Sequence, residues 1–224
     1  MDIKQLLDEA VEELIKNDDG CNPNSPDSIE NQLEKKRAEY REYLELKPFK
    51  LRIEQAIEVV QAELPAVLGE DRYSAFMSDL AEAGRILTEN PELQGEKLGL
   101  SQNSFDCLFS VGETLLKKNE AERAAALFTL LTVLDPSWFR HWFYLGMALQ
   151  DLKEYKEAVK AYEKANKITE ESPLPHFFLT ECFLSLDDPQ NASVHFEKAK
   201  EIVATLPAHP DFERFISELE AHIQ

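Results

Sequence analysis

Glycine is scarce in this chain, 7 residues of 224, which argues against an architecture built on glycine turns. The three cysteines, Cys21, Cys107 and Cys182, are odd in number, widely spaced and never arranged as CxxC. A disulfide framework and a zinc site are therefore excluded, and free thiols in a reducing compartment are expected. Positive charge is short: 24 Lys and Arg stand against 43 Asp and Glu, a formal net charge of −19. Such a chain is repelled by phosphate backbones and anionic membrane surfaces, so no nucleic-acid partner is expected. No run approaches the uncharged apolar length of a membrane span, and no stable membrane insertion is expected. The first residues have neither a basic n-region nor an apolar h-region, so no signal peptide is read and a cytoplasmic location is expected. The motifs GxGxxG, GxxxxGK[ST], HExxH and GxSxG are all missing. No two of the five histidines sit at i,i+3 or i,i+4 spacing. The expectation is a protein that is not an enzyme and takes no metal or cofactor, with Cys182 a buried thiol and His176 a packing residue.

What is present is helical patterning. Residues 2 to 15 place Ile3, Leu6, Leu7, Ala10, Leu14 and Ile15 on one face. Residues 17 to 28 carry Asp-Asp-Gly, Asn-Pro and Ser-Pro, the chemistry of a linker. A helix is predicted from about Ser28 to Lys47, with Pro48 breaking it or opening the next. Helices are also predicted from Phe49 to Leu64 and from Glu70 to Glu89, separated by Pro65 and Gly69, with Asn90-Pro91 as the stop. A connector runs from Glu92 to Ser104.

From Phe105 onward the chain repeats itself every 34 residues. Gly112, Gly146 and Thr180 form one column, and Ala124, Ala158 and Ala192 a second. Phe128, Tyr162 and Phe196 form a third, and Leu131, Ala165 and Ala199 a fourth. Val111, Leu145 and Leu179 form another, as do Leu108, Trp142 and His176. The small residues let the two helices of a hairpin approach closely, and the aromatic fills the space between neighbouring hairpins. This is the tetratricopeptide (TPR) pattern, in three units: 105–138, 139–172 and 173–206. Beyond Pro207 and Pro210, the residues Phe212, Phe215, Ile216, Leu219 and Ile223 outline an amphipathic helix able to cap the last hairpin. The predicted fold is all-α. Residues 1–48 form an N-terminal helical extension, 49–104 a helical segment on or before the array, 105–206 three TPR hairpins, and 207–224 the capping helix.

The first helix of each TPR hairpin lines the concave face through positions two, five, nine and twelve. These positions carry Asp106, Phe109, Glu113 and Leu116, then Arg140, Phe143, Met147 and Gln150, then Leu174, Phe177, Glu181 and Leu184. Tyr144 can reach the rim. Such a groove suits apolar side chains of an extended peptide, with polar groups holding its backbone. Phe109, Glu113 and Met147 replace the Lys, Asn and Arg clamp by which some TPR co-chaperones bind a C-terminal carboxylate, so an acidic terminus is excluded as ligand.

Three stretches carry a family resemblance. They are Ala125-Ala126-Leu127-Phe128 leading to Leu134-Asp135; Leu145-Gly146 through Tyr155, Ala158 and Val159; and Glu181-Cys182-Phe183-Leu184 followed by Phe196, Ala199 and Glu201-Ile202. On these, Leu108 to Gln224 resembles the class II chaperones of type III secretion, the SycD, LcrH and IpgC family. The resemblance implies a chaperone in a bacterial cytoplasm that keeps hydrophobic translocator proteins soluble before export. It implies that Phe109, Phe143, Tyr144, Met147 and Phe177 receive the prolines and leucine of a PxLxxP-like segment. Family members have a short N-terminal arm, often used for homodimerisation, whereas about 100 residues precede the first repeat here, as in longer members from chlamydia-like bacteria. A homodimer through the N-terminal helices is one expectation for that extension. A general TPR scaffold in a multiprotein assembly accounts for the repeats equally well.

Overall fold

A computed structural model describes residues 29–90 and 93–223. The helix read over residues 2–15 and the linker at 17–28 lie outside the described residues. Those described are helical throughout, with no strand among them: α1 (Ile29–Leu68), α2 (Glu70–Glu89), a 3-10 turn (Gly95–Leu98), α3 (Gln102–Lys117), α4 (Ala121–Leu134), α5 (Phe139–Asp151), α6 (Tyr155–Ile168), α7 (Leu174–Ser185), α8 (Pro189–Val203) and α9 (Pro210–Ile223). The chain divides into two compact units at Leu51. The first contributes the opening turns of α1. The second, from Arg52 onward, holds everything else, and the description below concerns it.

The helix end expected at Pro48 does not occur, and α1 also continues through Pro65. Proline's φ is itself helical, and its cost inside a helix is a lost hydrogen bond and crowding of the carbonyl four residues back. Around Pro65 that cost is offset by burial of Ala56, Val59, Val60 and Leu64 along one stripe. The chain turns only at Gly69, whose amide donates to Pro65 O at 3.0 Å. Its φ of 77° is one that a side-chain-bearing residue rarely adopts.

Helices α3 to α8 form three antiparallel hairpins, α3–α4, α5–α6 and α7–α8, as an all-α TPR-like fold requires. In the first two hairpins the small residue of the first helix lies under the aromatic of the second. A Cβ on Gly112 would come within 2.6 Å of the Phe128 ring, and one on Gly146 within 2.5 Å of Tyr162. Phe128 and Tyr162 are fully buried. In the third hairpin Thr180 takes the place of glycine, and its hydroxyl is satisfied by donating to His176 O at 2.8 Å.

Each hairpin also turns in the same way. Asn119, Lys153 and Asp187, spaced by 34, all have positive φ, between 56° and 61°. Directly after them the amides of Glu120, Glu154 and Asp188 donate to Leu115 O, Leu149 O and Phe183 O, each at 2.9 Å. That is the left-handed helix ending normally assigned to glycine, made here by residues with side chains. Asp188 then caps α8, its carboxylate accepting from the Asn191 amide at 3.1 Å, with Pro189 in the first turn.

One core runs from Ala56 and Phe76 through all three hairpins to Cys182. A second, smaller cluster joins Phe177, Phe196 and Ala199 to Leu219 of α9, with Phe212, Phe215 and Ile216 packed around it. At the hairpin turns α1 is held by charge: Arg52 Nη2 lies 2.5 Å from Glu154 Oε2, and Arg123 Nη2 lies 2.6 Å from Glu63 Oε1 while also pairing with Glu120.

Two substitutions test this frame. Gly146→Ala should lower stability by about 1–3 kcal/mol in denaturant melts, because the added carbon meets the Tyr162 ring. Lys153→Gly should raise it by roughly 0.5–1 kcal/mol by relieving the left-handed backbone. A stabilising Gly146→Ala would contradict the close contact.

Candidate functional site

The candidate groove residues lie on α3, α5 and α7, the first helices of the hairpins. The position-five rings do not stand open on that face. Phe109 is 6% exposed, Phe143 7% and Phe177 0%. The reason is a staggered aromatic contact. Phe109 meets Tyr144 of the next hairpin edge-on, ring centroids 4.8 Å apart, and Phe143 meets Phe178 edge-on at 5.2 Å. Phe177 stacks on Phe215 of α9 at 5.3 Å, so the capping helix fills the place of a fourth hairpin. The reading of Phe177 as an open groove residue is therefore corrected: its ring is sealed under α9. Phe178, missed in the sequence, stands 34 residues after Tyr144, and the repeat period alone would have pointed to it.

Polar groups tie the same helices together. Glu113 Oε1 accepts from Tyr144 Oη at 2.9 Å and lies 3.6 Å from Arg140 Nη2. Burial, and then this carboxylate, push the Tyr144 phenol above its usual range. The Arg140 guanidinium sits 4.1 Å over the Phe109 ring. One repeat further on, Gln150 Nε2 donates to Glu181 Oε2 at 2.8 Å, while its carbonyl accepts from Tyr162 Oη at 3.0 Å. Cys182 Sγ lies 3.6 Å from that same carbonyl, and burial pushes its thiol up to about 12. Leu116, Met147 and Leu184 are half-buried, Asp106 and Arg140 exposed. Glu181, Leu184 and Ser185 line an opening together with Glu218 and Leu219 of α9. Among the described residues no group of three or more His, Cys, Asp or Glu is placed to hold a metal ion, and no helix is long and apolar enough to cross a membrane.

Two histidines far apart in sequence do meet. His176 Nδ1 and His195 Nδ1 are 3.0 Å apart between α7 and α8, with Phe183 stacked on His195 at 5.3 Å. Burial, then the neighbouring His195 and Lys198, push His176 down to about 4. Burial lowers His195 too, against Glu163, which raises it. His141 is fully buried, its Nδ1 3.0 Å from Asp135 O, and burial lowers it as well.

The tetratricopeptide repeat family model matches residues 142–172, the second hairpin from Trp142 on. No curated protein matches the chain in sequence. Solved structures do. PcrH bound to the chaperone binding region of PopD is 29% identical, with a TM-score of 0.53, over 55% of this chain and 94% of that one. PcrH from Pseudomonas aeruginosa alone is 26% identical, with a TM-score of 0.50, over 59% of this chain and 95% of that one. The translocator chaperone SycD of Yersinia enterocolitica, at 22% identity, shares the fold with a TM-score of 0.52 over 58% of this chain and 96% of that one. The resemblance to class II type III secretion chaperones, drawn from the repeat residues, thus extends to solved members of that group.

The histidines make acid lability testable. A neutral histidine whose folded pKa lies below its unfolded value of about 6.5 takes up protons on unfolding, so its share of stability falls as pH drops from about 6.5 towards 4. Between pH 7 and 4.5 the loss of unfolding free energy should be about 2 kcal/mol smaller in His176→Gln than in the parent. Parallel pH curves for the two proteins would count against a neutral buried His176.

Proposed function

We propose that this protein is a cytoplasmic chaperone of type III secretion that binds an extended apolar segment of a hydrophobic translocator along its α3–α5–α7 face and keeps it soluble before export. The observation that carries this reading is the match to PcrH over nearly the whole of that chain, one such structure holding a chaperone binding region of PopD. The same face here carries a row of aromatic rings, with Leu116, Tyr144, Met147 and Gln150 half-exposed above them. Their mix of apolar area and a few polar groups suits an extended peptide of the PxLxxP kind. In this reading Glu113, Arg140 and Glu181 edge the face, and Phe109 and Phe143 form its floor. The reading is one of binding, without catalysis. Self-association through the segment ahead of the array is part of the proposal. A general scaffold would use the same repeats but would take no translocator.

Co-expression with the hydrophobic translocators of its own secretion system tests the proposal. A soluble complex should be recovered with the parent chain. Met147→Glu places a charge on a half-buried apolar position without touching the ring contacts, and should weaken the complex by about tenfold or more with helical content unchanged. Full recovery of the complex with Met147→Glu would remove this face from the mechanism. No complex with any translocator would leave the scaffold reading.

A further inference from the structure

The first aromatic pocket of this face is covered differently from the other two. Phe143 and Phe177 are covered by Phe178 and Phe215. Phe109 shares one side with Tyr144 and Phe128, at 4.8 and 5.6 Å, and has the Arg140 guanidinium 4.1 Å above it. That guanidinium is the outermost layer: the Arg140 side chain is 52% exposed, whereas Phe109 is 6% exposed. Its tether is Glu113, 3.6 Å away, which the Tyr144 hydroxyl holds in place. In the next repeat the position of Arg140 is taken by the uncharged Leu174.

We propose that Arg140 is a displaceable lid on the Phe109–Tyr144 pocket, closed in the empty chaperone and swung aside when an apolar side chain of the client stacks on Phe109. The inference rests on the groove reading above for its client, but not for the lid itself. An exposed cation–π contact and an exposed ion pair are each weak, and together they favour the closed state by about tenfold. That is enough to hide a bare ring from water and from other copies of the chain, and little enough for a client to reverse. The ring does not depend on the lid for its position, since Phe128 and Tyr144 hold it from within the core. The closed lid lowers client affinity by the fraction of molecules that are open. Removing it should therefore strengthen binding, the opposite of what loss of a contact residue does.

The test uses the full chain with two probes: the apolar dye ANS, and a labelled synthetic peptide with Pro-x-Leu-x-x-Pro spacing. Arg140→Ala should raise ANS fluorescence two- to threefold and tighten peptide binding about tenfold, with an unchanged circular dichroism spectrum. Glu113→Gln keeps an acceptor for Tyr144 but removes the ionic tether, and should do the same to a smaller degree. Raising salt from about 0.05 to 0.5 M should raise ANS fluorescence more in the parent than in Arg140→Ala, because the Arg140–Glu113 pair is there to be screened only in the parent. Unchanged ANS fluorescence in both folded variants overturns the lid, even if the peptide binds all three proteins and so upholds the groove. A rise in ANS with no peptide binding to any of them supports the lid and rejects the groove reading.

Discussion

Each of the first two hairpins closes around a contact between a missing side chain and a large one. Gly112 and Gly146 have no Cβ, and the rings of Phe128 and Tyr162 occupy the space where one would be. The approach of the two helices is set there, because a protein interior leaves no slack to absorb even a methyl group. From that approach follows the stacking of hairpin on hairpin, and from the stacking follows the row of rings at Phe109, Phe143 and Phe177. The third hairpin, with Thr180 in place of glycine, solves the problem another way, handing the hydroxyl to a backbone carbonyl and its outer face to the capping helix.

Against this rigid frame the α3–α5–α7 face is layered. A floor of buried rings is roofed by a tyrosine and a phenylalanine from neighbouring helices, a phenylalanine from the cap, and over the first ring an exposed arginine. A face of this kind can present apolar area to a partner without leaving it bare when the partner is away.

Much of this was legible along the chain, and what was not has physical reasons. The 34-residue columns and the closing helix at 210–223 could both be read, since each is a local or periodic property. The turns at Asn119, Lys153 and Asp187 were hidden because none is the glycine that signals a left-handed backbone. Pro48 and Pro65 pointed to helix ends that do not exist, and at Pro65 the local cost is outweighed by what the helix buries. His176 and His195 sit 19 residues apart on different helices, a spacing that means nothing until the hairpin closes.

Sequence alone determined the class of fold and the number of hairpins. These rest on backbone periodicity and on side-chain size, which do not wait for folding. The tertiary structure decided which rings are open and which are sealed: Phe177 under α9, Phe143 under Phe178, Phe109 under Arg140. A phenylalanine on a helix has the same face whether or not something lies over it, and what lies over it here comes from a different helix, brought there only when the hairpins stack.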